Sequence, residues 1–82
     1  MLKGIVVDNI VSTRKQNSLV GSKFLEVKII ENGQPTDKYL IAVDSVGAGI
    51  GETVLITQGS PARLALKNQS VPVDAVIVGI VD

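Results

Sequence analysis

The sequence predicts a small all-β domain: five short strands closed into a Greek-key barrel, with one short helix between the fourth strand and the fifth. Three observations predict it. Hydrophobic residues make up 45% of the chain while Phe, Tyr and Trp together make 2%, so Val and Ile carry the apolar content, and β-branched aliphatics favour strands. Turn residues recur at short intervals between the aliphatic runs. Strands this hydrophobic would also invite pairing with other chains at an open edge, which barrel closure removes.

The first strand runs from about Lys3 to Thr13, interrupted by Asp8-Asn9, which reads as a bulge or sharp bend of the kind barrels use at corners. A polar run, Ser12 to Ser22, leads to the second strand at about Lys23 to Ile30. There Leu25, Val27 and Ile29 alternate with Glu26 and Lys28, giving one buried and one wet face. Asn32-Gly33 favours a hairpin turn. With Pro35 read as part of the loop, the third strand begins at about Lys38 and ends at Asp44, and the hairpin loop is longer than two residues. The fourth strand spans about Thr53 to Thr57. Ser60 then offers an N-cap and Pro61 a first helical position, so a short helix follows, with Lys67 at its C-terminal end. After a loop from Asn68 to Pro72, Ala75 to Val81 is a nearly continuous apolar strand, buried on both faces. Strands and helix in this order suggest a barrel of the oligonucleotide-binding type.

Eighty-two residues accommodate one domain, residues 1–82. Eight Lys and Arg balance eight Asp and Glu, so the chain lacks the basic excess of a nucleic-acid or anionic-membrane binder. With no His and no Cys, it cannot form a disulfide, a thiolate or imidazole metal site, a Ser-His-Asp triad or a Cys-His pair. No metal and no cofactor are expected. The run Ile5-Val6-Val7 is cut by Asp8, short of a signal-peptide core of ~7–15 residues, and Ala75 to Val81 is far below the ~18 of a membrane span. A soluble, intracellular chain is expected. The aliphatic surplus predicts a homo-oligomer, because a chain near this size buries only about 60% of its unfolded surface, and without disulfides or metals the missing stability comes from subunit contacts.

The string Val46-Gly47-Ala48-Gly49-Ile50-Gly51-Glu52 superficially resembles a phosphate-cradling loop. A dinucleotide fingerprint would place a third glycine where Glu52 stands and a helix where a strand follows, and a Walker loop would end in Gly-Lys-Ser/Thr. The string reads instead as a tight turn between strands three and four, whose glycines let backbone pass close to a neighbouring subunit. Asp44 and Glu52 flank it. They could form a glycosidase-like pair, but no aromatic platform lies nearby, and carboxylates at strand ends mostly cap turns. Arg63 can grip a carboxylate or several carbonyls in fixed geometry, which makes it a candidate interface anchor. Arg14-Lys15 is the only adjacent basic pair, and Phe24 and Tyr39, the only aromatics, lie inside strands. A binder of RNA or single-stranded DNA would show a basic groove with stacking aromatics, so that alternative is disfavoured despite the fold.

Several segments resemble a known family: Val43-Asp44-Ser45-Val46-Gly47-Ala48-Gly49-Ile50-Gly51-Glu52, Val54-Leu55, Gly59-Ser60, Ala62-Arg63, and the tail from Pro72 to Asp82. Gly4 to Thr13 and Gly21-Ser22-Lys23-Phe24-Leu25 follow the same pattern, so nearly the whole chain is similar to the EutN/CcmL family, the pentameric vertex proteins of bacterial microcompartments and carboxysomes. Pro61 departs from the small residue of many relatives, and some relatives continue with a tail beyond the point corresponding to Asp82. The resemblance implies a structural shell protein without catalysis. Five copies would form a tapered disc with a narrow central channel, closing vertices of a shell otherwise tiled by hexameric shell proteins. It implies no nucleic-acid or membrane partner, and a place in the bacterial cytoplasm within that shell. The residues expected at the subunit interface or channel loop are Asp44, Gly47, Ala48, Gly49, Gly51, Glu52, Ser60 and Arg63.

Overall fold

A computed structural model describes residues 1–11, 16–19, 21–59 and 74–82. The strands are β1 (Leu2–Ile10), β2 (Phe24–Glu31), β3 (Gln34–Asp44), β4 (Thr53–Gln58) and β5 (Ala75–Val81), with a short 3-10 turn at Asn17–Leu19 inside the polar run. They close into a barrel in the order β1-β2-β3-β5-β4. Each neighbouring pair is antiparallel except β3 and β5, which run parallel through two rows, Val43 with Val76 and Asp44 with Ile77. This is the all-β five-stranded barrel the sequence predicts. The helix expected after Ser60, and the basic pair Arg14-Lys15, lie outside the described residues.

Period-two alternation fills the interior. Val6 on β1, Leu25, Val27 and Ile29 on β2, Ala42 on β3, Val54 and Ile56 on β4, and Ala75 and Ile77 on β5 form one buried cluster with Ala48. A smaller cluster of Val43 and Val76 is covered by Leu19, Phe24 and Val78. Because Val76 joins this second cluster while Ala75 and Ile77 join the first, the start of β5 is buried on both sides, as the apolar run predicts; burial fades from Val78 onward, and Val81 is exposed.

Two local features differ from expectation. The β2–β3 hairpin closes through Asn32-Gly33 alone, both at positive φ, so β3 begins at Gln34 rather than Lys38 and Pro35 is inside the strand, opposite Ile30. Pro can sit in a strand where its missing N–H faces away from the ladder, which is why it does not end β3 here. The β1 register shift falls between Val6 and Asp8, with Val7 as the extra residue, one position before the expected polar pair. It turns Val7 outward and leaves the rest of β1 paired to β2 through Asp8, Asn9 and Ile10.

Candidate functional site: the 45–52 loop

The segment from the end of β3 to the start of β4 is bonded to β1, to β5 and to the residue that precedes β2. Ser45 Oγ donates to the Ile77 carbonyl at 2.6 Å, tying the loop to β5. Lys23, just before β2, donates from Nζ to the Ala48 carbonyl at 2.7 Å. Gly51 N–H donates to the Val6 carbonyl at 2.8 Å, and Val6 N–H donates back to the Glu52 carbonyl at 3.0 Å, fastening the loop to β1 immediately before its bulge. Ala48, at the loop's middle, is fully buried and belongs to the barrel core. The loop therefore closes one end of the barrel with a methyl group as its plug.

Asp44 organises the first half. Its Oδ1 accepts from Val46 N–H at 3.0 Å and Gly47 N–H at 3.1 Å, and its Oδ2 accepts from Ala48 N–H at 2.9 Å. Successive backbone amides converging in this way form an anion-binding concavity. The loop thus does cradle an anion, but the anion is the chain's own carboxylate, whose side chain is only 3% exposed. Lys23 Nζ stands 3.8 Å from Oδ2 and supplies the opposite charge from a half-exposed position. Glu52 organises the second half: its Oε1 accepts from Gly49 N–H at 2.7 Å while its own N–H donates to the Gly49 carbonyl at 3.1 Å. Both Asp44 oxygens and one Glu52 oxygen are thereby committed to backbone amides. That is the turn-capping role rather than the disposition of a free general acid and base.

Gly47 and Gly51 adopt φ of 83° and 91°, a region costly for residues with a Cβ, so these two glycines are required by the loop's own path. Gly49 is not at positive φ, and an added Cβ would meet only Glu52 Oε1, at 3.4 Å. Of the eight residues the sequence singled out, Asp44, Gly47, Ala48, Gly49, Gly51 and Glu52 are brought together here; Ser60 and Arg63 lie outside the described residues. Sequence reasoning assigned no role to Lys23 or Ser45, whose partners are 25 and 32 residues away. No local spacing announces such contacts, although both residues fall in the stretches that carry the family resemblance. The aromatics do not form a stacking platform: Phe24 packs on the Val43–Val76 cluster, and Tyr39 lies under the Lys28 ammonium, 5.7 Å from its ring centre.

Comparison with known proteins places this geometry. The family model described as "Ethanolamine utilisation protein EutN/carboxysome" matches residues 1–82. The chain belongs to the EutN/CcmL family. Among its EutN/CcmL relatives, the carboxysome shell vertex protein CcmL of Gloeobacter violaceus is 48% identical over 80 residues, covering 96% of this chain and 80% of that protein. A solved structure of the Gloeobacter violaceus protein superposes with a TM-score of 0.95 at 46% identity, over 100% of this chain and 86% of that one. The bacterial microcompartment shell vertex protein EutN of Escherichia coli is 41% identical over 83 residues, covering 100% and 87%. GrpN of Rhodospirillum rubrum, described as a pentameric microcompartment shell protein, superposes with a TM-score of 0.90 at 41% identity, over 100% and 94%. The chain thus spans 80% to 94% of the length of these relatives, which are described as carboxysome proteins in one case and as microcompartment proteins in the others.

Proposed function

We propose that this chain is a structural vertex protein of a bacterial microcompartment shell. As a single vertex domain, five copies close into a ring that caps a five-fold corner. The observation that carries the reading is the whole-length likeness, in sequence and in fold, to a protein described as a pentameric microcompartment shell protein. The physical logic agrees with it. A flat hexagonal layer cannot close on itself, and five-fold units supply the curvature. A ring of identical subunits forms when one face of each meets a different face of the next and the rotation closes. An aliphatic barrel with no His, no Cys and balanced charge is suited to such packing.

In this reading the chain catalyses nothing, holds no cofactor, and meets hexameric shell proteins in the bacterial cytoplasm rather than nucleic acid or membrane. The 45–52 loop serves as a rigid element of the subunit junction or channel, with Asp44 and Glu52 shaping backbone and Ser60 and Arg63 contributing from the adjoining segment. Native mass spectrometry of the purified protein tests it. Five chains per particle, and rounded closed shells instead of open sheets or tubes when it is co-expressed with hexameric shell proteins, are expected; a monomer throughout the micromolar range would refute the proposal.

A further inference from the structure

The hairpin tip between β2 and β3 carries a reactive pair as well as a turn. Asn32 is the one Asn in the sequence that is followed by Gly, and Asn belongs to the thermolabile side chains. The Gly33 nitrogen can close a ring on the Asn32 carboxamide carbon, since only the Asn32 carbonyl carbon, Cα and Cβ lie between them. Nothing in the fold holds either group back. Among the described residues the Asn32 carboxamide makes no hydrogen bond and the Gly33 N–H donates to no carbonyl. The space beside Gly33 is open, for a Cβ built there would meet nothing within 4 Å. Glu31, Asn32, Gly33, Gln34 and Pro35 are all exposed, so the backbone rotation that brings the two atoms together displaces no packed side chain. Asn9 shows the opposite arrangement: it is followed by the β-branched Ile10, and both sit inside the β1–β2 ladder, opposite Leu25 and Phe24.

We infer that Asn32 is a site of spontaneous covalent modification, deamidation through a cyclic imide with water as the co-reactant. The inference rests on the chain alone and not on the vertex reading. The Gly33 N–H gives its proton to hydroxide or water, the nitrogen bonds to Asn32 Cγ, and the Cγ–Nδ2 bond breaks with loss of ammonia. Water then cleaves either of the two carbonyl bonds to the imide nitrogen, leaving aspartate or isoaspartate. In sum one water enters, one ammonia leaves, and no atom changes oxidation state. Either product adds a carboxylate next to Glu31, whose two oxygens already share the Lys38 ammonium, each at 3.2 Å. In the isoaspartyl form the main chain also passes through Cβ, and the two-residue turn that sets Glu31 opposite Gln34 cannot absorb the added carbon unchanged. The change stays at the tip, because the buried residues nearest to it, Ile29 on β2 and Ala42 on β3, lie outside the turn.

The purified protein is incubated at mildly alkaline pH beside a sample unfolded in guanidinium, an unincubated sample sets the background, and all are digested with trypsin. Cleavage after Lys28 and Lys38 releases a peptide in which Asn32 is the single Asn. Chromatography with mass spectrometry is expected to show that peptide from the folded protein turning into two products of equal mass, aspartyl and isoaspartyl, faster at higher pH, while the peptides carrying Asn9 and Asn17 keep their amides. Asn32→Gly, which suits the turn and lacks the carboxamide, is expected to give one unchanged peptide. Survival of Asn32 in the folded protein would overturn the inference, and conversion in the unfolded sample alone would show the turn to be what protects it. Aspartate without isoaspartate would overturn the imide route. Conversion of Asn9 or Asn17 as fast as Asn32 would overturn the choice of site, and loss of the β circular-dichroism spectrum on conversion would overturn the confinement to the tip.

Discussion

The barrel interior and the 45–52 loop are ordered by opposite means. Inside the barrel, Val, Ile, Leu and Ala fill the space between five strands, and the stabilisation is non-directional, scaling with the apolar area removed from water. The loop buries a single methyl, that of Ala48, and owes its shape to directed hydrogen bonds: backbone amides donate to Asp44 and Glu52, Lys23 and Ser45 donate to backbone carbonyls, and the Val6 backbone pairs with Gly51 and Glu52. The interior can exchange one aliphatic for another of similar volume at little cost. The loop cannot move an acceptor without releasing an amide, yet less free energy is at stake there because much of it faces water. Stability and shape are thus assigned to different residues, and the two can be separated by substitution.

The largest effect is expected in the interior. Ile56→Ala removes a fully buried side chain and should destabilise the fold by about 2–5 kcal/mol, while Ile56→Val should cost only about 0.5–1.5. Thermal unfolding at a fixed protein concentration measures both; equal costs would show that packed volume is not what holds the interior. Asp44→Ala should cost less, about 1–3 kcal/mol, by leaving the amides of Val46, Gly47 and Ala48 without their acceptor. Hydrogen exchange is the sharper probe: those three amides should lose protection while Val27 and Ile56 keep theirs, and uniform loosening of the barrel would erase the distinction drawn above. Gly51→Ala places a Cβ at positive φ and should cost roughly 1–2 kcal/mol, whereas Gly49→Ala should be milder for the folded chain; denaturant midpoints of the pair decide it. Smallest of all, Lys23→Met should change stability by about 0–1 kcal/mol, since its side chain is nearly half exposed. A larger loss would make Lys23, not Asp44, the residue that sets the loop.

Most of the barrel was legible because strand-forming aliphatics and period-two alternation act locally: Leu25, Val27 and Ile29 announce the buried face of β2 without reference to the rest of the chain. Strand limits were less legible where one residue admits two readings. Pro35 ends a strand if its nitrogen must donate and continues one if it need not, and only the two-residue turn at Asn32-Gly33 settles which. Val7 looks like a core residue by type and becomes the outward bulge residue because β1 must shift against β2. At the loop, glycines and flanking carboxylates marked a special turn, but their spacing did not reveal that Asp44 fills the amide concavity itself. Lys23 and Ser45 could not be assigned from spacing because their partners approach only once the barrel has closed.

The parallel seam between β3 and β5 has a consequence for how the molecule is made. β1, β2 and β3 follow one another in sequence and pair as successive antiparallel neighbours, contacts that form early because little chain entropy is lost in reaching them. Closing the cylinder means bringing Val43 and Asp44 to Val76 and Ile77, and Leu2 to Ile56, across long stretches of chain. Such distant pairings slow folding. Among the described residues Val43 and Val76 form one of the two rows that join β3 to β5, so the clasp of the barrel is made by residues far apart in the chain.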